Sequence, residues 1–181
     1  MAFGPFPAWQ PGMIVNEERA NSAALVGRTI FKVTRDSNQS LAATGSGNPD
    51  VASNALGWET VSLDDLGGWS ASSPTRYTCQ LQAWYKINPK VGFNGNSTGS
   101  ARSIGIYVNG TLMPAGHFRI SASFGSGAIT VDGDLELLLN VGDYVQIAAG
   151  QDTTSGGLPA ALNTATGGVR PCLEITFARH A

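Results

Sequence analysis

From Arg28 onward, apolar and polar residues change places with a period of two, the mark of strands with one face buried. In Arg28–Arg35, Ile30 alternates with Phe31 across the strand. Asp36–Gln39 turns the chain, and residues 43–55 form a Gly/Ser/Asn/Pro loop. Leu56–Leu63 is the next predicted strand, with Trp58 and Val61 as packing groups, followed by a turn over Asp64–Gly68 and an extended connector Trp69–Pro74. Arg76–Ile87 is the longest β run: Tyr77, Cys79, Leu81 and Ala83 share one face, then the parity shifts to Trp84, Tyr85 and Ile87. Pro89 lacks the N–H of a central ladder bond, which predicts a bulge or edge break near it. After a polar loop at 94–101, Arg102–Val108 sets Ile104, Ile106 and Val108 on one face and Gly105 and Tyr107 on the other. Asn109-Gly110 predicts a type I′ hairpin. Its return strand, Thr111–Met113, is expected to break at Pro114, with a separate short strand at His117–Ser121. Ile129, Val131, Leu135, Leu137 and Leu139 mark one further strand. Asn140–Asp143 then turns into Tyr144–Ala149, with Val145 and Ile147 on its apolar side. A second Gly/Thr/Ala loop fills 150–168, and Val169–Ala178 closes the domain with Leu173, Ile175 and Phe177 alternating.

Eight to ten short strands separated by turns, with no long helix among them, predict an all-β antiparallel sandwich or barrel. No internal repeat points to a solenoid. Residues 1–27 read differently and are assigned to an arm, with the β domain over 28–181. Pro5, Pro7 and Pro11 exclude a regular helix or central strand over the first 15 residues. Phe3, Phe6, Trp9, Met13 and Ile14 nevertheless give that stretch five large apolar groups. Two destinations fit them: a partner's surface, or the domain's own sandwich. Residues 16–27 carry the signals of one short helix, with Asn16 as cap, Glu17 and Glu18 in the first turn and Gly27 at the exit.

The chain has 181 residues, the size of one domain able to bury its own core. Its 23 glycines and 13% charged residues suit a turn-rich β protein with a neutral, hydrogen-bonding surface. Net charge is −2 with no basic cluster, which argues against nucleic acid and anionic membrane as partners. The N-terminus lacks a signal peptide's basic start and apolar run, so the expectation is a chain kept in the cytosol or exported with something else. Cys79 and Cys172 are read as free buried thiols, with a single cross-strand disulfide as the alternative.

Candidate chemistry is thin. Gly95-Asn-Ser97-Thr-Gly99 matches a nucleophile elbow, but a strand follows it instead of a helix. Asp132-Gly-Asp134 lacks the rest of a calcium loop and reads as a turn, and Asp64-Asp65 could join a metal site built by several subunits. Asn38, Asn96 and Asn109 sit in glycosylation-type triplets and read as turn asparagines. Trp58, Trp69, Trp84 and Tyr85 are weighed as a sugar platform and assigned to the core. Glycoside hydrolysis needs two carboxylates at a set separation. Glu59, Asp64, Asp65, Asp132, Asp134 and Glu136 qualify by type, and no spacing singles out a pair. No cofactor, metal site or enzymatic activity is expected.

Three segments carry a resemblance: Gly68-Trp69-Ser-Ala-Ser-Ser-Pro-Thr-Arg76-Tyr-Thr-Cys79, Arg102-Ser-Ile-Gly-Ile-Tyr-Val-Asn-Gly110-Thr, and Leu137-Leu-Leu-Asn-Val-Gly142-Asp-Tyr144-Val-Gln-Ile. In this order they resemble the globular heads of the complement and tumour-necrosis-factor-like superfamily, and more narrowly those in bacteriophage tail and capsid proteins. Ala83, where that pattern leads one to expect glycine, and Pro89 depart from it. The resemblance implies a ten-stranded jelly roll, homotrimers about a three-fold axis, and binding or display instead of chemistry. It leads to the expectation of a virion protein assembled in the host cytoplasm, a capsid decoration held by Phe3, Phe6, Trp9, Met13 and Ile14 on the major capsid protein. The alternative is a tail adhesin whose loops, through Asn48, Asn96, Ser97, Thr98, Thr153 and Thr154, read host glycans.

Overall fold

The structure, a computed structural model, describes residues 25–94, 99–121, 128–152 and 170–181. Strands β1 (Arg28–Thr34), β2 (Thr60–Asp64), β3 (Arg76–Thr78), β4 (Ala83–Phe93), β5 (Ala101–Val108), β6 (Thr111–Ser121), β7 (Ile129–Asp132), β8 (Leu135–Leu139), β9 (Tyr144–Gln151) and β10 (Cys172–His180) are joined by one four-residue helix, α1 (Val51–Asn54). They form two antiparallel sheets. The first has the order β2-β1-β10-β4-β7, with β8 also paired to β4; the second has the order β3-β9-β5-β6. This is the jelly-roll sandwich expected from the sequence.

The inner faces meet in one core. Ile30, Phe31 and Val33 of β1, Tyr85, Ile87, Val91 and Phe93 of β4, and Leu173, Ile175 and Phe177 of β10 pack against Tyr77, Ile104, Ile106, Val145 and Ile147 of the second sheet. Burial of such side chains stabilises by about 2 kcal/mol each. Trp58 and Tyr85 lie in this core, Trp69 packs against its edge, and Trp84 sits on the outer face under the Arg179 guanidinium, 4.5 Å away. They are spread over different faces and form no platform.

Several element boundaries differ from expectation. The run Arg76–Ile87 is two strands in two sheets, parted at residues 79–82, where the chain crosses between sheets. Pro89 does not break β4: it is buried opposite Leu173 of β10. The break falls instead on the partner. Ile87 faces Leu135 and Lys90 faces Asp132 in one continuous register, so β7 and β8 are a single strand interrupted opposite Pro89, where no N–H is offered. Asp132-Gly-Asp134 is that interruption and not a chain-reversing turn. Pro114 likewise does not split its strand. It lies within β6, an exposed edge, where a missing donor leaves no neighbour unsatisfied. The strand predicted over Leu56–Leu63 begins only at Thr60, and α1 interrupts the predicted 43–55 loop, with the Asp50 carboxylate capping the amide of Ala52.

Asn109 and Gly110 have φ of 52° and 78°, the type I′ geometry. Both cysteines are free: Cys79 is buried at the β3–β4 crossover, while Cys172 begins β10 beside Lys90, at the other end of the sandwich. Residues 25–27 form a turn, with Arg28 donating to the carbonyl of Leu25 and Gly27 at φ +78°. The rest of the predicted helix over 16–27 lies outside the described residues.

Candidate functional site

The strand directions divide the molecule into two poles. At one, Gly27 donates to Phe177 near the end of β10, the Asn109-Gly110 hairpin joins Asp143, and the 140–143 turn meets Cys79. β1 starts and β10 ends here, so the N-terminal segment departs from this pole. At the other pole lie the ends of β4, β6 and β9 and the starts of β5, β7 and β10. The segments through 95–98, 122–127 and 153–169 therefore leave from neighbouring strand ends. The expected ligand residues Asn96, Ser97, Thr98, Thr153 and Thr154 lie on them, outside the described residues, as do Phe3, Phe6, Trp9, Met13 and Ile14 of the arm.

The base of this second pole is polar and buried. Arg102 continues the parity of Ile104 and Ile106, so it points into the sandwich and is fully buried. Asp152, just past β9, faces it at 3.5 Å. The same carboxylate accepts from the amides of Ser100 and Ala101 at 2.8 and 2.9 Å and from the Ser100 hydroxyl at 2.6 Å. Burial opposes ionisation of Asp152, but the Ser100 hydroxyl and the two amides outweigh it and hold the carboxyl below the usual range. Burial in turn pulls the Arg102 guanidinium down from its ordinary value, against the pull of Asp152. This clamp ties the entry of β5 to the exit of β9.

The 41–50 segment is stitched onto the same strands. Gln151 donates to Leu41, Thr44 bonds back to Gln151, and Ser103 donates to Gly47 at 2.5 Å. Tyr107 donates to Pro49 at 2.8 Å. Gly105 and Gly150 carry no side chain because Pro49 and the backbone of Asn48 lie directly over them. The Gly105–Tyr107 face of β5 is thus covered, and this strand is buried on both sides. Within this cap Asn48 stays exposed, and its Oδ1 accepts from Arg119 of β6 at 3.4 Å. Of the expected ligand residues, Asn48 is the one that the described residues place, and it lies at this pole.

Five of the six carboxylates weighed as catalytic, all but Asp132, have partners of their own. Glu59 accepts from the amides of Asp36 and Ser37, each at 2.8 Å, and pairs with Arg35 at 3.2 Å. Asp64 accepts from the Gly68 and Trp69 amides. Asp65 pairs with Arg28, Asp134 with Lys86 and Glu136 with Arg179. Among the described residues no three His, Cys, Asp or Glu gather as metal ligands. No helix among them is long and apolar enough to cross a membrane.

Arg119, Ser121 and the Arg102–Asp152 clamp were not anticipated as site residues. Only Arg102 left a sequence signal, a charge at a core-facing position of a clean alternation.

No protein-family model matches the sequence, and no curated protein matches it. Among solved structures the chain is similar to the globular domain of zebrafish complement 1qA protein, with a TM-score of 0.57 at 14% identity, covering 83% of this chain and 97% of that one. It is also similar to murine APRIL, with a TM-score of 0.52 at 11% identity, covering 82% and 98%. At such identities the likeness is one of fold, the jelly roll of complement and tumour-necrosis-factor-type heads.

Proposed function

We propose that this chain is a non-catalytic display module of a bacteriophage virion, a homotrimeric capsid-decoration protein that grips the shell through its N-terminal arm. The observation that carries the reading is the two-pole layout. The N-terminal segment departs from one end, and the segments through 95–98, 122–127 and 153–169 leave from the other. The virion setting and the trimer rest on the sequence resemblance; the shared fold with a complement head is in keeping with self-association.

A second reading, a tail adhesin recognising host-surface glycans, is favoured by the loop pole itself, whose segments are rich in Gly, Ser, Thr and Asn. Quantitative mass spectrometry of purified particles separates the two. A copy number comparable to the major capsid protein is expected for decoration, and one comparable to tail-tip proteins would favour the adhesin. Absence from the particle would overturn both. Deleting residues 1–15 is expected to leave a folded trimer that no longer attaches; an unfolded product would place the arm in the core instead.

A further inference from the structure

Seven of the described lysines and arginines meet a carboxylate: Arg28, Lys32, Arg35, Lys86, Arg102, Arg170 and Arg179. Arg76, Lys90 and Arg119 do not. Arg76 lies over the Tyr144 ring at 4.5 Å, so part of its charge is met by the ring's electron-rich face. Among the described residues, Lys90 has no hydrogen bond that would hold its ammonium in place.

Arg119 differs from both. It is exposed on the edge strand β6 at the loop pole, yet fixed by two hydrogen bonds. Its Nε donates to the Ser121 hydroxyl at 3.0 Å and its Nη1 to Asn48 Oδ1 at 3.4 Å. A guanidinium has only donors, so both neighbours must turn acceptors toward it. That leaves the Asn48 amide Nδ2, the Ser121 hydroxyl proton and the remaining Arg119 N–H groups as donors for a ligand, beside one further lone pair each on Asn48 Oδ1 and Ser121 Oγ. His117, two residues back on the same strand, is exposed beside them. No carboxylate of the described residues pairs with Arg119. A held arginine fork with spare donors around it suits an anionic oxygen group, and it can take a carboxylate in bidentate geometry.

We propose that Arg119, Asn48 and Ser121 form a binding site for the carboxylate of an acidic polysaccharide. This deepens the display reading by naming what the loop pole takes, and it rests on that reading only for the direction in which the site faces. A sugar fits better than a protein partner. Protein hot spots cluster in well-packed, desolvated pockets, whereas Asn48, His117, Arg119 and Ser121 are all exposed, with no aromatic or aliphatic anchor among them.

The test uses the full chain and oligogalacturonate, with fully methyl-esterified oligogalacturonate as the same sugar without its charge, titrated by calorimetry or surface plasmon resonance. The acid form is expected to bind and the ester to bind at least tenfold more weakly. Arg119→Gln is expected to reduce binding of the acid at least tenfold and Asn48→Ala severalfold, with melting temperatures unchanged because both side chains are exposed. Equal binding of acid and ester, or Arg119→Gln binding at the wild-type level, would overturn the site. So would a failure of the wild-type chain to bind the acid form. Polyglutamate bound as tightly as oligogalacturonate, with the same dependence on Arg119, would overturn the polysaccharide assignment in favour of an acidic protein. None of these results depends on particle copy number, so this site and the virion reading fail separately.

Discussion

At the residue scale, the positions that matter most are those where a side chain is present against the local rule, or missing because of a neighbour. Arg102 is a cation on a core-facing position, tolerated because Asp152 lies across from it. Breaking a buried pair by removing one partner typically costs about 3 kcal/mol. Asp152→Asn is therefore expected to lower unfolding stability by about that much, read as a fall in the urea midpoint at neutral pH. Gly150 is the converse case. A methyl there would run into the Asn48 backbone, so Gly150→Ala is expected to cost about 1–3 kcal/mol by lifting the 47–50 cap, again read in the urea midpoint. The two thiols behave differently from each other. Cys79 is 1% exposed and Cys172 half-buried. Iodoacetamide is expected to modify Cys172 slowly in the folded chain and Cys79 only after unfolding, with mass spectrometry finding no disulfide.

At the scale of elements, register and edges explain where the prolines sit. Pro89 fits inside a central strand because its partner strand is interrupted opposite it, and Pro114 fits inside β6 because that strand is an edge. The Asn109-Gly110 turn is an element whose local signal was complete in the sequence. The structure adds that the Asn109 side chain joins this hairpin to the 140–143 turn between the sheets, donating to Asp143 at 2.8 Å and accepting from the Tyr144 amide at 3.0 Å. Asn109→Ala loses both bonds and leaves a β-carbon at positive φ without local support. The expected cost is about 1–3 kcal/mol, seen as a lower melting temperature.

At the scale of the whole molecule, four carboxylates are held below their ordinary range by different causes. The Ser53 hydroxyl does so for Asp50, the Ser37 hydroxyl for Glu59 and the Asn109 amide for Asp143. At Asp152 the Ser100 hydroxyl and two amides overcome the opposing effect of burial. A depressed carboxylate contributes stability that is complete above its unfolded pKa, about 4, and is lost as pH falls through the lower folded value. Stability is thus expected to be level in these groups from about pH 5 upward and to decline below about pH 4. Urea midpoints measured across that range check this, and the Asp152→Asn variant should show a shallower decline.

The β class, the hairpin at Asn109-Gly110, the closing strand with Leu173, Ile175 and Phe177, and the assignment of Trp58 and Tyr85 to the core were all legible in the sequence. Each depends on local periodicity or turn chemistry, which acts between residues a few positions apart. The division of Arg76–Ile87 between two sheets, the burial of both faces of β5 and the tolerance of Pro89 were not legible. Those depend on which distant segment lies alongside: β10 and the β7–β8 strand for Pro89, and the 47–50 cap for Gly105 and Tyr107. The same holds for the candidate site. Asn48 was picked out as a polar loop residue, but its link to Arg119 joins positions 71 residues apart and exists only once β5 and β6 carry Arg119 up to the cap. Periodicity reports which face of a strand is apolar; only the folded chain decides what covers the other face.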